Sequence, residues 1–147
     1  MSHPYDMLVH GVTIVCAASE GSARGLAVAW TAQAGTEHVV LSIGSQSATR
    51  EFILQSGAFG MSLLAEDQLA LARRFGSTSS RDVDKLAGTP WHVAETGSPL
   101  LDDCLATLDC RVADVHDLGD LKLIVGRVVA FERRWDGRPL LFREGDY

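Results

Sequence analysis

Two long runs that face each other across a tight turn constrain this chain most. In residues 105–115 the second half alternates: Leu108, Cys110 and Val112 fall on one side, Asp109 and Arg111 on the other. That is the period-two pattern of a half-buried strand. Leu118-Gly119-Asp120 turns the chain, and residues 121–135 read as one long strand in which Gly126 marks a bend or bulge. Asp136-Gly137 is a hairpin signal, and Pro139 to Arg143 closes the series. Long antiparallel strands leave unpaired edges unless they bury one face or close on themselves. The tail of the chain therefore predicts a curled or closed antiparallel sheet.

The rest fits that sheet. Residues 9–17, 25–31, 39–43, 59–64 and, more briefly, 91–95 read as strands, many rich in β-branched side chains. Two segments read as helices. Residues 51–57 are amphipathic. Residues 66–76 carry acids in the first turn (Glu66, Asp67), arginines in the last (Arg73, Arg74) and Gly76 as a stop. Leu71 and Phe75 lie one turn apart, on the face expected to pack on the sheet. Seven or eight strands against two helices, without regular alternation, exclude a doubly wound parallel sheet. The expectation is a mainly β fold, a small antiparallel barrel with helices at its side or end, in a single domain spanning 1–147.

The 147 residues suit one core, and 46% apolar content fits a globular chain. With 13 Lys and Arg against 19 Asp and Glu, the net charge is −6 and no basic cluster exists to track nucleic acid. No signal segment and no membrane-spanning run is visible, so neither secretion nor a membrane is expected. Cys16, Cys104 and Cys110 are odd in number, follow no metal-ligand spacing and sit among apolar residues. They read as buried thiols in a reducing, cytoplasmic compartment, with no neighbouring base to activate them.

The chemistry-bearing stretch is Ser45-Gln46-Ser47-Ala48-Thr49-Arg50, which joins a strand to a helix. A helix start offers unpaired N–H groups and the positive end of its dipole. With Ser47, Thr49 and Arg50 added, the loop suits a phosphate dianion. Taken alone, it reads more readily as a plain helix cap with Arg50 in solvent. Residues 25–31 are largely small, which allows a ligand or a second chain to approach the backbone; tight barrel packing reads the same way. Acid–base and metal machinery is missing. The five histidines are scattered, Asp102-Asp103 and Glu66-Asp67 are merely adjacent, and no nucleophile elbow, P-loop or dinucleotide turn occurs. An anion pocket with apolar close-approach strands and no catalytic side chains fits a protein whose chemistry resides in a bound cofactor.

The residues also resemble the flavin reductase-like, FMN-binding split-barrel family, which includes flavoredoxin-type proteins. The likeness runs in order along nearly the whole chain. It takes in Gly11 to Val15 and Gly25 to Thr31, the latter similar to the family's Gly-Met-Thr-Val-Ser-Trp strand. It continues through the phosphate loop from Leu41 to Thr49, then Ser56-Gly57-Ala58-Phe59, Arg74-Phe75-Gly76 and Arg81 to Lys85. Thr96 to Leu101, Leu108 to Val112, Gly119-Asp120, Gly126-Arg127-Val128, Pro139-Leu140-Leu141 and Gly145-Asp146-Tyr147 complete it.

The resemblance implies a Greek-key split barrel with two or three flanking helices. It implies a homodimer with FMN near the subunit interface, and hydride transfer from NAD(P)H to the flavin. Backbone around Ala27, Val28, Ala29 and Trp30 would contact the isoalloxazine. Ser45, Ser47, Thr49 and Arg50 would hold the phosphate, and Lys85 would add a charge. A monooxygenase or an electron-transfer protein is the partner such a chain would serve. Four departures stand out: Leu121 replaces the histidine of the family's Gly-Asp-His, Thr36-Glu37-His38 replaces a Pro-Pro, Ser62 an asparagine, and Ala29 a serine. Leu121 keeps a second expectation open, a flavin-carrying electron-transfer protein with no nicotinamide site. A third is a barrel dimer that has lost its flavin.

Overall fold

The computed structural model describes residues 4–44, 47–77 and 85–142. Seven strands form one antiparallel sheet in the order β3-β2-β6-β9-β10-β5-β4. They are β2 (Thr13–Ser19), β3 (Ser22–Val28), β4 (Thr31–Gln33), β5 (His38–Gly44), β6 (Ala58–Leu63), β9 (Ala106–Asp117) and β10 (Leu121–Arg133). Two small pairs flank it: β1 (His10–Gly11) with β11 (Leu141–Phe142), and β7 (Trp91–His92) with β8 (Leu100–Leu101). The sheet curls into a half-barrel, so that β3 comes up to β5 although neither pairs with the other.

The long hairpin is where the alternation puts it. Leu108, Cys110 and Val112 pack with Val15, Leu41, Ile43, Phe59 and Ile124 inside the curl. Gly119 turns the chain with φ +92°. Gly126 sits at a register shift of β10 against β9, confirming the bulge. The outward position Asp109 is not solvated, however, being 1% exposed. Its carboxylate accepts the N–H groups of Glu95 (2.8 Å) and Thr96 (2.9 Å) and the Thr96 hydroxyl (2.5 Å). Alternation reported the face correctly, but the 95–98 loop folds over that face.

Helix α1 (Ala48–Ser56) closes one end of the curl, with Ile53 buried and Phe52 packed on the core. Ser47 caps its start and Gly57 ends it at φ 71°, the left-handed position that favours glycine. Helix α2 (Leu69–Ser77) covers the outer face of β2 and β3, where Phe75, Ala72 and Leu71 meet Ile14, Cys16 and Ala27. It starts later than the acids imply. The Gln68 side chain accepts the Ala65 N–H at 2.9 Å and holds Glu66 and Asp67 in a preceding turn, and Gly76 lies within the helix.

The Asp136-Gly137 hairpin is not formed. The chain leaves β10 at Arg133, Pro139 bridges to Ala65, and β11 pairs with β1 instead. The strand expected over 25–31 is likewise broken at Ala29 and Trp30, between β3 and β4.

All three cysteines are fully buried. Burial pushes the thiols of Cys16 and Cys110 up to about 12 and that of Cys104 to about 11. Thiolates carry the reactivity of cysteine, so the folded protein is expected to leave a thiol-reactive disulfide reagent unconsumed at pH 8. Unfolding in guanidinium should release three equivalents; rapid titration of any thiol in the native protein would contradict the burial. Among the described residues no helix is long and apolar enough to cross a membrane, and no group of three or more His, Cys, Asp or Glu gathers to hold a metal.

Candidate functional site

The site is built where β5 hands over to α1. The last residue of β5, Gly44, accepts the Ser47 N–H at 3.4 Å, which bends the chain into the helix. Ser47 adopts an extended conformation and its hydroxyl accepts the Arg50 N–H at 3.2 Å, a helix N-cap. The cap reading of this loop is thus correct for Ser47, and Arg50 is partly buried rather than solvated.

Among the described residues, two atoms of the same turn have no partner. Thr49 is 0% exposed and its Oγ1 is buried without a hydrogen bond; the Arg50 Nε is also buried and unpartnered. Buried polar groups are nearly always satisfied, and an exception marks a strained, catalytic or ion-holding position. A hydroxyl, a guanidinium and the free N–H groups of a helix start together form a donor set complementary to a phosphate. The residues present therefore fit a phosphorylated cofactor. Ser45 lies outside the described residues.

A groove of about 250 Å³ runs from this corner between Gly44, Ser42 and Ile43 on β5 and the segment Leu26 to Trp30. Ala27, Val28, Ala29 and Trp30 therefore sit together along it. The Ser42 N–H donates to the Trp30 carbonyl at 3.0 Å and fixes the two segments side by side. Ala27, Ala29 and Phe142 also border a wider cavity of about 590 Å³ that reaches Arg73 and Gly76 on α2. Phe142 and Arg73 have no sequence signal. They are brought to the groove by the β1–β11 pair and by the seating of α2.

Lys85 is 2% exposed, and its ammonium donates to the Phe75 carbonyl at 2.7 Å, near the C-terminal end of α2. Burial lowers its pKa. The bond gives Lys85 a capping role on α2.

On the other side Trp30, 48% exposed, borders an apolar hollow of about 410 Å³ with Tyr5, Leu8, Val40 and Leu123. Leu121, beside Gly44, brings its Cδ2 within 3.8 Å of where a Gly44 Cβ would stand. At the tip of the long hairpin, the Asp117 carboxyl is held below its usual range. The Gly119 N–H contributes most, then Lys122 at 3.2 Å, with Arg50 adding a smaller attraction. Arg50 and Lys122 thus both act on the Asp117 carboxylate at this corner.

A curled antiparallel half-barrel with an anion-receptive helix start and an adjoining small-residue groove defines the structural class. Comparison with known proteins gives the family. Residues 5–147 match the model of the flavin reductase like domain. The chain is 37% identical over 139 residues to the reductase subunit HsaB of a flavin-dependent monooxygenase from Rhodococcus jostii RHA1, covering 93% of this chain and 70% of that protein. It is 41% identical over 103 residues to HsaB of Mycobacterium tuberculosis, covering 69% of this chain but only 54% of that one. It is 32% identical over 139 residues to the FMN reductase (NADH) SmoA of Agrobacterium fabrum, covering 93% of this chain and 77% of SmoA. Among solved structures, nitrilotriacetate monooxygenase component B of Mycobacterium thermoresistibile superposes with a TM-score of 0.87 at 36% identity, over 97% of this chain and 80% of that one. The chain belongs to the flavin reductase-like family of oxidoreductases, as its residues foretold.

Proposed function

We propose that this protein is an NAD(P)H-dependent flavin reductase that binds FMN as a homodimer in the cytoplasm and delivers electrons to a monooxygenase. The observation that carries this reading is the pair of orphaned atoms, Thr49 Oγ1 and Arg50 Nε, buried at the α1 start beside a groove of small residues. Ser47, Thr49 and Arg50 would hold the phosphate. Backbone at Ala27, Val28, Ala29 and Trp30 would lie against the ring, and Phe142 would bound it. Bound FMN supplies two-electron chemistry, so no side chain need act as nucleophile. The chain's own work is to anchor, align and exclude water. The apolar hollow around Trp30, Tyr5 and Leu8 supports a second copy closing over the groove, because Trp30 and Ser42 border both. HsaB, a reductase subunit of a monooxygenase, supports that class of partner.

A second reading rests on Leu121. An apolar side chain flanks the groove beside Gly44, where the family pattern has an imidazole; this favours a flavin carrier that takes electrons from a protein rather than from nicotinamide. Anaerobic addition of NADH or NADPH to FMN-loaded protein separates the two. Bleaching of the flavin absorbance by either nucleotide is the expected result. Bleaching by dithionite alone would establish the carrier, and protein that takes up no FMN would refute both.

A further inference from the structure

The two ends of the half-barrel are finished differently. Helix α1 covers the end where β5 stops at Gly44, with Ile53 buried and Phe52 packed on the core. The opposite end, where β5 begins at His38 and β6 stops at Leu63, opens into a hollow of about 410 Å³. Register fixes what faces it. Leu108 of β9 stands opposite Met61 of β6 on one side and Phe131 of β10 on the other, and directly paired residues share a face. Met61 is buried, Leu63, Leu108 and Val128 are half-buried, and Phe131 is 65% exposed. The turn over 33–38 forms the lip. The Gln33 amide donates to the Gly35 carbonyl at 2.8 Å, and the Val128 N–H donates to the Glu37 carbonyl at 2.8 Å. Among the described residues no Asp, Glu, Lys or Arg lines this hollow; Thr36 and His38 are polar groups at its lip.

We propose that this mouth is a second binding site, for a small uncharged compound of two rings with at most one hydrogen-bonding group. Ligand sites are concave, mostly apolar and a few hundred Å³ in volume, with few polar groups, and barrel mouths are among the places they occur. A cavity of about 150 Å³ walled by apolar side chains holds one benzene ring. A hollow of about 410 Å³, part of it open to solvent, has room for two. An ionised group would lose water here without meeting an opposite charge. A flat protein surface laid across the lip would leave Met61 and Val39 untouched, whereas rings entering the curl reach them. The mouth and the groove beside Gly44 have no lining residue in common, so the site stands apart from the flavin reading.

The test uses a matched pair of probes. N-phenyl-1-naphthylamine is neutral, and 8-anilino-1-naphthalenesulfonate is the same skeleton with a sulfonate. Each is dialysed to equilibrium against the protein in excess FMN, which competes for binding in the groove. The wild type is expected to bind the neutral probe at least about tenfold more tightly than the sulfonate. Val128→Trp, which fills the hollow, should weaken the neutral probe at least about tenfold. Phe131→Ala, at the exposed rim, should weaken it about fivefold and decides alone where Val128→Trp fails to fold. Leu8→Ser, in the separate hollow beside Trp30, should leave it unchanged. Circular dichroism checks each fold. Equal binding of the two probes, or loss in Leu8→Ser rather than in the mouth variants, overturns the site. So does a wild type that excludes the neutral probe; if Phe131→Ala then also sediments more slowly, the mouth is closed by a second copy instead.

Discussion

Thr49→Val is expected to move two measurements in opposite directions. The ligand-free protein should melt at a higher temperature, and its affinity for FMN should fall. Thr49 is wholly buried and its Oγ1 has no partner. A buried, unsatisfied hydroxyl costs about 1–3 kcal/mol, whereas an apolar group of the same shape costs nothing comparable. Valine keeps the volume and the branching, and the two residues have similar helix propensities. A gain of about 1 kcal/mol raises the melting temperature by about 2–4 °C in a chain of this size. The phosphate loses a hydrogen bond to a charged group, worth about 1.5–3 kcal/mol, so the dissociation constant should rise about 10- to 100-fold. Riboflavin, which has no phosphate, should bind the variant and the wild type alike. Calorimetry of the apo protein and fluorescence titration with both ligands check the three expectations. A lower melting temperature with unchanged FMN affinity would mean that Thr49 serves packing alone and that the phosphate sits elsewhere.

The helix cap at Ser47 could be read from sequence because every part of it is local. Ser47, Thr49 and Arg50 fall within four residues, and the N-cap pattern fixes their arrangement without tertiary information. The half-barrel was legible for a related reason: β9 and β10 carry their own alternation and turn. The misreadings occur where a distant segment decides. Asp136-Gly137 has the composition of a hairpin, but β11 finds its partner in β1, about 130 residues upstream in the chain. Asp109 has the pattern of a solvated position until Glu95 and Thr96 supply its donors. The breadth of the groove was invisible for the same reason. Arg73 reads as a charge suited to a helix end, and only the seating of α2 on β3 turns it toward a cavity. Lys85 reads as a loop cation, yet the fold spends it on the Phe75 carbonyl.

Gly126→Ala is expected to be the most damaging single methyl that can be added to this protein's long hairpin. Gly126 lies in β10, opposite Val112 on one side and Val39 on the other, at the register shift that bends the strand. A Cβ there would stand 2.4 Å from Phe59 Cζ, 2.8 Å from Cε1 and 3.1 Å from the Cys110 Cβ. Phe59 is fully buried at the centre of the curl, so its ring has no solvent to move into. Overpacking of this kind costs about 1–3 kcal/mol, and a contact this short belongs at the top of that range. The melting temperature should fall by about 6–12 °C. Phe59→Leu alone should also destabilise, by removing buried ring atoms. The double variant should lose less than the sum of the two, because the smaller side chain vacates the space the new methyl needs. That coupling separates a steric clash from a backbone preference for glycine, which would leave the two losses additive. Gly126→Ala within about 0.5 kcal/mol of wild type would show that the ring is not pinned as described, and that the bulge arises from something other than the close approach of Phe59.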